Sequence, residues 1–322
     1  TSKAFADSGN YYLRSSWQNN ATFAHFHCGT LGAGHGHADQ LHIDLFSRGE
    51  DVLVDAGRYT YVFNEGRAEY KNLDAHNTIR VDGQDYYICK DSWECEKLTR
   101  AVNQQFFANE HYAYAEGGVL AYLNLAGGGV FVNRRAMLLG ADILVLADEF
   151  YGEGEHSYEQ FFHFNNAGTL SGQGNAYQYQ GAQVQAQVQF VMPSLASKVL
   201  PSKLSRQYNR AEENQMIQTQ FAANGFACAY TVIALGNAQN TTALSVQKLP
   251  VQSNFKGITF PAATIEALDI QYGNQHYTLA IAHQEFATPT DTFLADGCTG
   301  FGNVVAFNRA VNETEIGTVL RY

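Results

Sequence analysis

Proline and methionine are scarce in this chain of 322 residues, at five and three, and cysteine is no commoner than proline, at five. The cysteines (Cys28, Cys89, Cys95, Cys228, Cys298) are odd in number and form no Cys-x-x-Cys pair. That argues against a disulfide framework and against a cysteine zinc site, and leans toward a reducing compartment. So few prolines leave no proline-rich linker to mark a domain boundary. Positive charge is short as well: 20 Lys and Arg face 31 Asp and Glu, for a formal net charge of −11. Nucleic acid is therefore a poor partner, because phosphate binding needs a basic surface, whereas an acidic sugar needs only a local group of Arg and Lys. No apolar run approaches the roughly 18 residues of a membrane helix, so no membrane span is expected, and no signal-peptide pattern stands at the N-terminus. The chain opens at Thr1 rather than a methionine and enters a strand-like segment, Tyr11 to Trp17, almost at once. A piece of a longer precursor is the expectation.

Helical periodicity is missing too. Asn64 to Asn72 is the one stretch that reads as a helical turn or mobile loop. What fills the sequence instead is period-two alternation, the pattern of half-buried strands. It runs through Thr22 to Cys28, Leu41 to Ser47, Ala101 to Ala108, His111 to Glu116, Val119 to Leu125, Val130 to Leu139, Ile143 to Phe150 and Tyr158 to Phe164. Asp51 to Gly57 reads as a short buried strand closed by Asp55, Tyr59 to Phe63 as its continuation, and His76 to Val81 as a return to strand. Ser47 to Glu50 and Asp82-Gly83 read as turns. The Gln-rich run from Tyr177 to Phe190 keeps a strict period of two and predicts a strand pair, followed by a polar break from Pro201 to Asn214 and further strands to Val304 to Phe307. Strands at this spacing without helices between them mean antiparallel sheets. The fold class is all-β, a large antiparallel multi-sheet β-sandwich over residues 1–240 with a smaller C-terminal sheet over 241–322.

The chain is organised around His25 to Phe46, which holds five of the eleven histidines. A glycine-rich turn (Gly29, Gly32, Gly34, Gly36) separates two predicted strands and carries His35, His37 and Asp39 at their ends. On extended backbone His35 and His37 point the same way and face one site together. His37, Asp55 and His76, on three neighbouring segments, make a set of two imidazoles and a carboxylate that suits Zn²⁺. The competing reading needs no metal: Asp55 caps a turn and His76 pairs with it.

Gly34-His35-Gly36-His37-Ala38-Asp39-Gln40-Leu41, then Asp55-Ala56-Gly57 with Tyr59 and Tyr61 after it, then Ala75-His76-Asn77-Thr78, resemble the C-terminal β-sheet domain of the heparinase II/III-like polysaccharide lyases. That group includes heparin, heparan, alginate and oligoalginate lyases, mostly bacterial. The resemblance is densest from Tyr11 to Asp85 and extends through Arg134-Arg135 and His163 to about residue 190. It implies a structural Zn²⁺ on His37, Asp55 and His76, with His35 and a tyrosine facing the substrate cleft. That tyrosine is expected to be Tyr61, with Tyr59 as the second choice and Tyr70 as the third. The implied reaction is β-elimination at a uronic acid of an acidic polysaccharide or oligosaccharide. Arg58 and Arg67 flank the tyrosines and are the candidates for the sugar carboxylate or sulfate. The resemblance also implies an N-terminal α/α-toroid domain of the same protein, which supplies the other wall of the cleft and has no counterpart in these residues.

Two other functions fit parts of the pattern. His37-Ala38-Asp39 with a distant histidine matches the facial triad of a non-haem iron oxygenase, although that use leaves His35, Tyr59 and Tyr61 without a role. An aromatic share of 13% on a β-sandwich also suits a non-catalytic carbohydrate-binding module.

Overall fold

A computed structural model describes residues 2–31, 35–96, 99–284, 292–311 and 317–322, without the side chains of Ile88 and Cys89. Gly32 and Gly34 of the glycine-rich turn lie outside the described residues. The chain is all-β, and it divides into two compact units, Thr1–Asn240 and Thr241–Tyr322.

The first unit is a sandwich of two large antiparallel sheets. One has the order Lys3–Phe5, Asn10–Arg14, Thr22–His27, His42–Ser47, Glu50–Leu53, Glu155–Phe164, Arg210–Asn224, Ala196–Gln207, with Ile79–Val81 also paired to Glu155–Phe164. The other runs Thr169–Gln173, Ala176–Gln180, Val184–Val191, Ala227–Asn237, Ile143–Gly152, Val130–Leu139, Tyr112–Tyr122, Ala101–Ala108. Between them lies one apolar core, which joins Leu13, Phe26, Ile43, Leu45 and Val52 of the first sheet to Val132, Leu138, Leu144, Leu146 and Val188 of the second. Each such side chain contributes about 1.5–3 kcal/mol when fully buried. In the second unit, a five-stranded and a three-stranded sheet share a core of Val251, Ile265, Ala280, Phe293 and Phe307.

Alternation decides what the first sheet shows outside. In Thr22–His27, Thr22, Ala24 and Phe26 are buried, while Phe23, His25 and His27 are half-buried on the other face. The register against His42–Ser47 sets His27 opposite His42 and His25 opposite Asp44, so the outer face gathers imidazoles and carboxylates. Two-residue turns close the neighbouring hairpins, with positive φ at Arg48 and Gly49 (55° and 85°) and at Asp82 and Gly83 (51° and 63°), the backbone such turns require.

The expected helix is present as Glu65–Lys71, started by Asn64, whose side chain accepts the Arg67 N–H at 2.9 Å; this is an ordinary N-cap. Two expectations fail. Residues 201–214 are not a break but part of a long hairpin, Ala196–Gln207 with Arg210–Asn224. Pro201 is admitted because its strand is the sheet edge, the place where a missing N–H is tolerated. Tyr59 to Phe63 is not strand at all, for a reason that shapes the site. Cys28, Cys95, Cys228 and Cys298 are free thiols.

Candidate active site and metal centre

Past the strand end at Leu53 the chain bends sharply twice. Asp55 Oδ1 accepts the Gly57 N–H at 2.7 Å, and Gly57, at φ 79°, runs so near the Ala196–Gln207 strand that a Cβ there would stand 2.4 Å from the Ser205 carbonyl oxygen. Only glycine passes at that distance. The Thr60 N–H then donates back to the Arg58 carbonyl at 2.7 Å across Tyr59, which sits at φ 53°. This three-residue reversal is a strained γ-turn, and it replaces the expected strand. It sends Tyr59 inward to stack on Tyr70 (centroids 5.3 Å apart, planes 17°) and leaves Tyr61 facing out toward His35.

Tyr61 is enclosed by polar and aromatic groups. Its hydroxyl lies 3.1 Å from His35 Nδ1 and accepts from Arg58 Nη1 at 2.7 Å. The Arg58 guanidinium is 4.8 Å above the phenol ring. Trp93 stacks on Tyr61 at 5.5 Å and 18°, and Tyr208 leans on it at 6.0 Å. Arg58 is exposed and has no carboxylate partner among the described residues. An imidazole at hydrogen-bond distance from a phenol offers a place for its proton. With Arg58 beside them, the two groups are placed where an acid and base pair could work.

Behind it lies the histidine and carboxylate group. His76 is buried, and its Nδ1 is 2.6 Å from Asp55 Oδ2; its Nε2 is buried without a hydrogen-bond partner. His42 Nε2 lies 2.8 Å from Asp44 Oδ1 and 3.7 Å from Asp55 Oδ2, while its Nδ1 accepts the Asn77 backbone N–H at 2.9 Å. Ligand atoms of His42, Asp55 and His76 lie within 4.8 Å of one another. Burial opposes charge on Asp55, but the His76 and His42 imidazoles and the Gly57 N–H outweigh it and hold the carboxyl well below the usual carboxylate range. The His37 ring is 5.4 Å from that of His76, and its Nε2 is 3.3 Å from Arg67 Nη1. Burial, the neighbouring His76 and the Arg67 and Lys71 cations push His37 down to about 3, against the pull of Asp55. A guanidinium cannot accept a hydrogen bond, so His37 Nε2 carries its lone pair toward Arg67.

Asn77 ties these pieces together. Its Nδ2 donates to the carbonyls of Ile43 (2.8 Å) and Val54 (3.1 Å), and its Oδ1 accepts the His163 N–H (2.6 Å). Arg134, fully buried in the opposite sheet, grips Asp148 with two nitrogens and donates from Nη1 to the carbonyls of Leu41 and Asn77. The residues beside His42 and His76 are thus anchored across the core.

Of the residues picked from the sequence, the structure brings His35, Tyr61 and Arg58 together, and groups Asp55 with His76 and, beside them, His37. Tyr59 turns away into a small core with Tyr70, Ala56 and Ala75, and it is Tyr61 that meets His35. Arg67 is 1% exposed and lies under Tyr61, its Nη1 on His37 and the Arg58 carbonyl; a sugar does not reach it there. Asp39 faces His27 at 3.8 Å rather than converging with His37, which removes the geometry an iron facial triad needs. Sequence reading missed His42, Trp93 and Tyr208. The pairing of His25 with Asp44 in adjacent alternating strands was a signal for the first; nothing local marked the other two.

The chain is 32% identical over 100 residues, 29% of its own length and 15% of the relative's, to a heparin-sulfate lyase of Pedobacter heparinus. Its fold is similar to that of a heparinase III crystal structure (TM-score 0.72, 17% identity, 88% of this chain and 42% of that one). It is likewise similar to a heparan sulfate lyase from Pedobacter heparinus (TM-score 0.72, 16% identity, 89% of this chain and 43% of that one). It therefore spans less than half the length of these relatives. The family described as heparinase II/III-like, C-terminal, matches residues 1–247, well over half of the chain, and the chain belongs to that family.

Proposed function

We propose that this chain is the β-sheet part of a polysaccharide lyase, which, completed by an N-terminal helical domain, cleaves a uronic-acid-containing polysaccharide by β-elimination. The observation that carries the reading is the meeting of the Tyr61 hydroxyl with His35 Nδ1 at 3.1 Å and Arg58 Nη1 at 2.7 Å, in a chain of this family. The chemistry follows from those three groups. The proton of Tyr61 passes to His35, and Arg58 steadies the phenolate left behind. The phenolate takes the proton from C5 of the uronate. The electrons of that bond form the C4=C5 double bond as the bond from C4 to the glycosidic oxygen breaks. His35 returns its proton to the departing oxygen, so both groups end as they began and no water is consumed. The uronate carboxylate must be neutralised while charge builds at C5, and exposed Arg58 is the cation at hand.

The donor set beside this pair fits Zn²⁺. His76 gives one nitrogen to Asp55 and holds the other buried with no partner, and a buried unpaired nitrogen is costly unless a ligand meets it. His37, Asp55 and His76 would hold the ion. His42 is nearer than His37, its ligand atom standing with those of Asp55 and His76 within 4.8 Å, but Asn77 and Asp44 engage both of its nitrogens, which suits a support for Asp55 better than a ligand. When bound, the metal supplies a structural tie between the glycine-rich turn, the Asp55 loop and His76; elimination has no use for a metal-bound hydroxide.

The test is to incubate the full-length protein with heparan sulfate, chondroitin, hyaluronan and alginate fragments and follow the absorbance of the unsaturated uronate. A rise with one of them is the expected result. Binding without any rise in absorbance would return the chain to a carbohydrate-binding module.

A further inference from the structure

Only two tryptophans occur in the chain, Trp17 and Trp93, and Trp93 stands 55% exposed while stacked on Tyr61. It sits on the tip of the small hairpin formed by Ile88–Cys89 and Cys95–Glu96. An exposed indole on a loose tip would mean little, but this tip is pinned from three sides. Asp91 Oδ1 accepts the N–H groups of both Trp93 and Glu94 at 2.7 Å, fixing the turn from within. The Ser92 hydroxyl donates to the Tyr61 carbonyl at 2.7 Å. The Lys71 ammonium, itself 2% exposed, donates to the Ser92 carbonyl at 3.2 Å from the end of the same helix that carries Arg67. Lys90 closes the hairpin against Glu96 and Glu94.

The consequence is a rigid aromatic wall. Trp93 is nearly parallel to Tyr61, His35 meets the rings of both at steep angles (75° and 88°), and Tyr208, 48% exposed, leans on Tyr61 as well. The Tyr61 hydroxyl thus belongs to a group of three rings, with the exposed Arg58 cation alongside. Leaving so much indole surface in water is unfavourable, and holding it there by backbone and buried-lysine hydrogen bonds has a use only if something flat and partly apolar lies on it. The face of a pyranose ring, with its axial C–H groups, is such a surface, and the neighbouring guanidinium selects sugars that carry a carboxylate or sulfate.

We propose that Trp93 is the substrate-stacking residue of this site, the platform for the sugar ring next to the uronate that reacts at Tyr61 and His35. The identity of the ligand rests on the lyase reading; the platform rests on the hairpin geometry. In the full-length protein, calorimetric titration with tetrasaccharides of heparan sulfate, chondroitin, hyaluronan and alginate is run for the wild type, Trp93→Ala and Trp93→Phe, with KM and kcat measured on whichever is cleaved. Loss of a central aromatic contact is expected to weaken tetrasaccharide binding and raise KM by at least about tenfold in Trp93→Ala, with kcat within about threefold and Trp93→Phe close to wild type. Because Trp93 is exposed, the alanine variant is expected to melt within a degree or two of wild type. Unchanged affinity in Trp93→Ala, equal damage in both variants, or no binding of any of the four tetrasaccharides would overturn the proposal. Binding that depends on Trp93 without release of unsaturated product would overturn the lyase reading and leave the platform standing.

Discussion

Arg134 Nη1, on the second sheet, lies 2.7 Å from the carbonyl oxygen of Asn77, just before the Ile79–Val81 strand of the first. The same nitrogen reaches the carbonyl of Leu41, and the rest of the guanidinium is spent on Asp148. Both carbonyls belong to neighbours of site histidines, so a residue far from the cleft sets where His42 and His76 stand. Arg134→Leu is expected to cost about 3–5 kcal/mol, because it leaves a buried Asp148 charge unpaired. The midpoint of urea unfolding reads this. The double variant Arg134→Leu, Asp148→Leu should recover part of the stability while the site histidines remain displaced.

In the full-length protein, Tyr61→Phe and His35→Ala are each expected to lower turnover by about a hundredfold or more, the scale for a positioned acid or base. Tyr59→Phe should stay within a few-fold, since Tyr59 is stacked on Tyr70 inside. The γ-turn at Tyr59 is what separates them. Equal loss in Tyr59→Phe and Tyr61→Phe would show that the wrong phenol has been placed at the cleft.

Metal content is the next check. His37→Ala, Asp55→Asn and His76→Ala should each lose zinc and lower the melting temperature, as should chelation of the wild type, because a structural ion contributes directly to the folded state. His42→Ala should instead retain some zinc with weaker affinity, the behaviour of a group that supports a ligand. Zinc bound equally well by all four variants would place the ion elsewhere.

Burial, with the neighbouring His76, pushes the His163 imidazole down to about 4 despite its hydrogen bond to the Asp74 carbonyl. In the unfolded chain an ordinary histidine takes up its proton near pH 6.5. Between about pH 6.5 and 4 the unfolded state therefore holds a proton that the folded state refuses, and stability falls as pH falls. Above that window the contribution is fully present. The slope from this one group is about 1.4 kcal/mol per pH unit. Thermal or urea melts from pH 4 to 8 should show a slope shallower by one proton in His163→Gln.

Much of the architecture was legible because alternation is a local property. The strands between Ala101 and Phe164 announce themselves, as does the strand pair on either side of the glycine-rich turn. The part of the long hairpin between Pro201 and Asn214 did not, since those residues are mostly Ser, Lys, Arg, Gln, Asn and Glu and a proline suggests an end. At the site, His35 and Tyr61 came from the motif, and Asp55 with His76 from the chemistry of the donor set. What turns Tyr61 out and Tyr59 in, one positive φ at Tyr59, left no mark in the sequence. Trp93 and Tyr208 reach the cleft from the tips of two hairpins distant in sequence, and no local spacing records that.

The loop that carries Tyr61 receives a hydrogen bond partner, the Tyr208 hydroxyl, from 147 positions further along the chain, and the Tyr59 carbonyl is capped by the Asn209 N–H. Contacts so remote form only after the intervening chain has closed a large loop, which slows their formation relative to local pairings. During synthesis, the histidines of the glycine-rich turn leave the ribosome long before the hairpin that orients Tyr61. A chain interrupted before Tyr208 would keep His37, Asp55 and His76 but lack the latch on Tyr61. The placing of Tyr61 beside His35 is thereby timed to the near-completion of the sandwich.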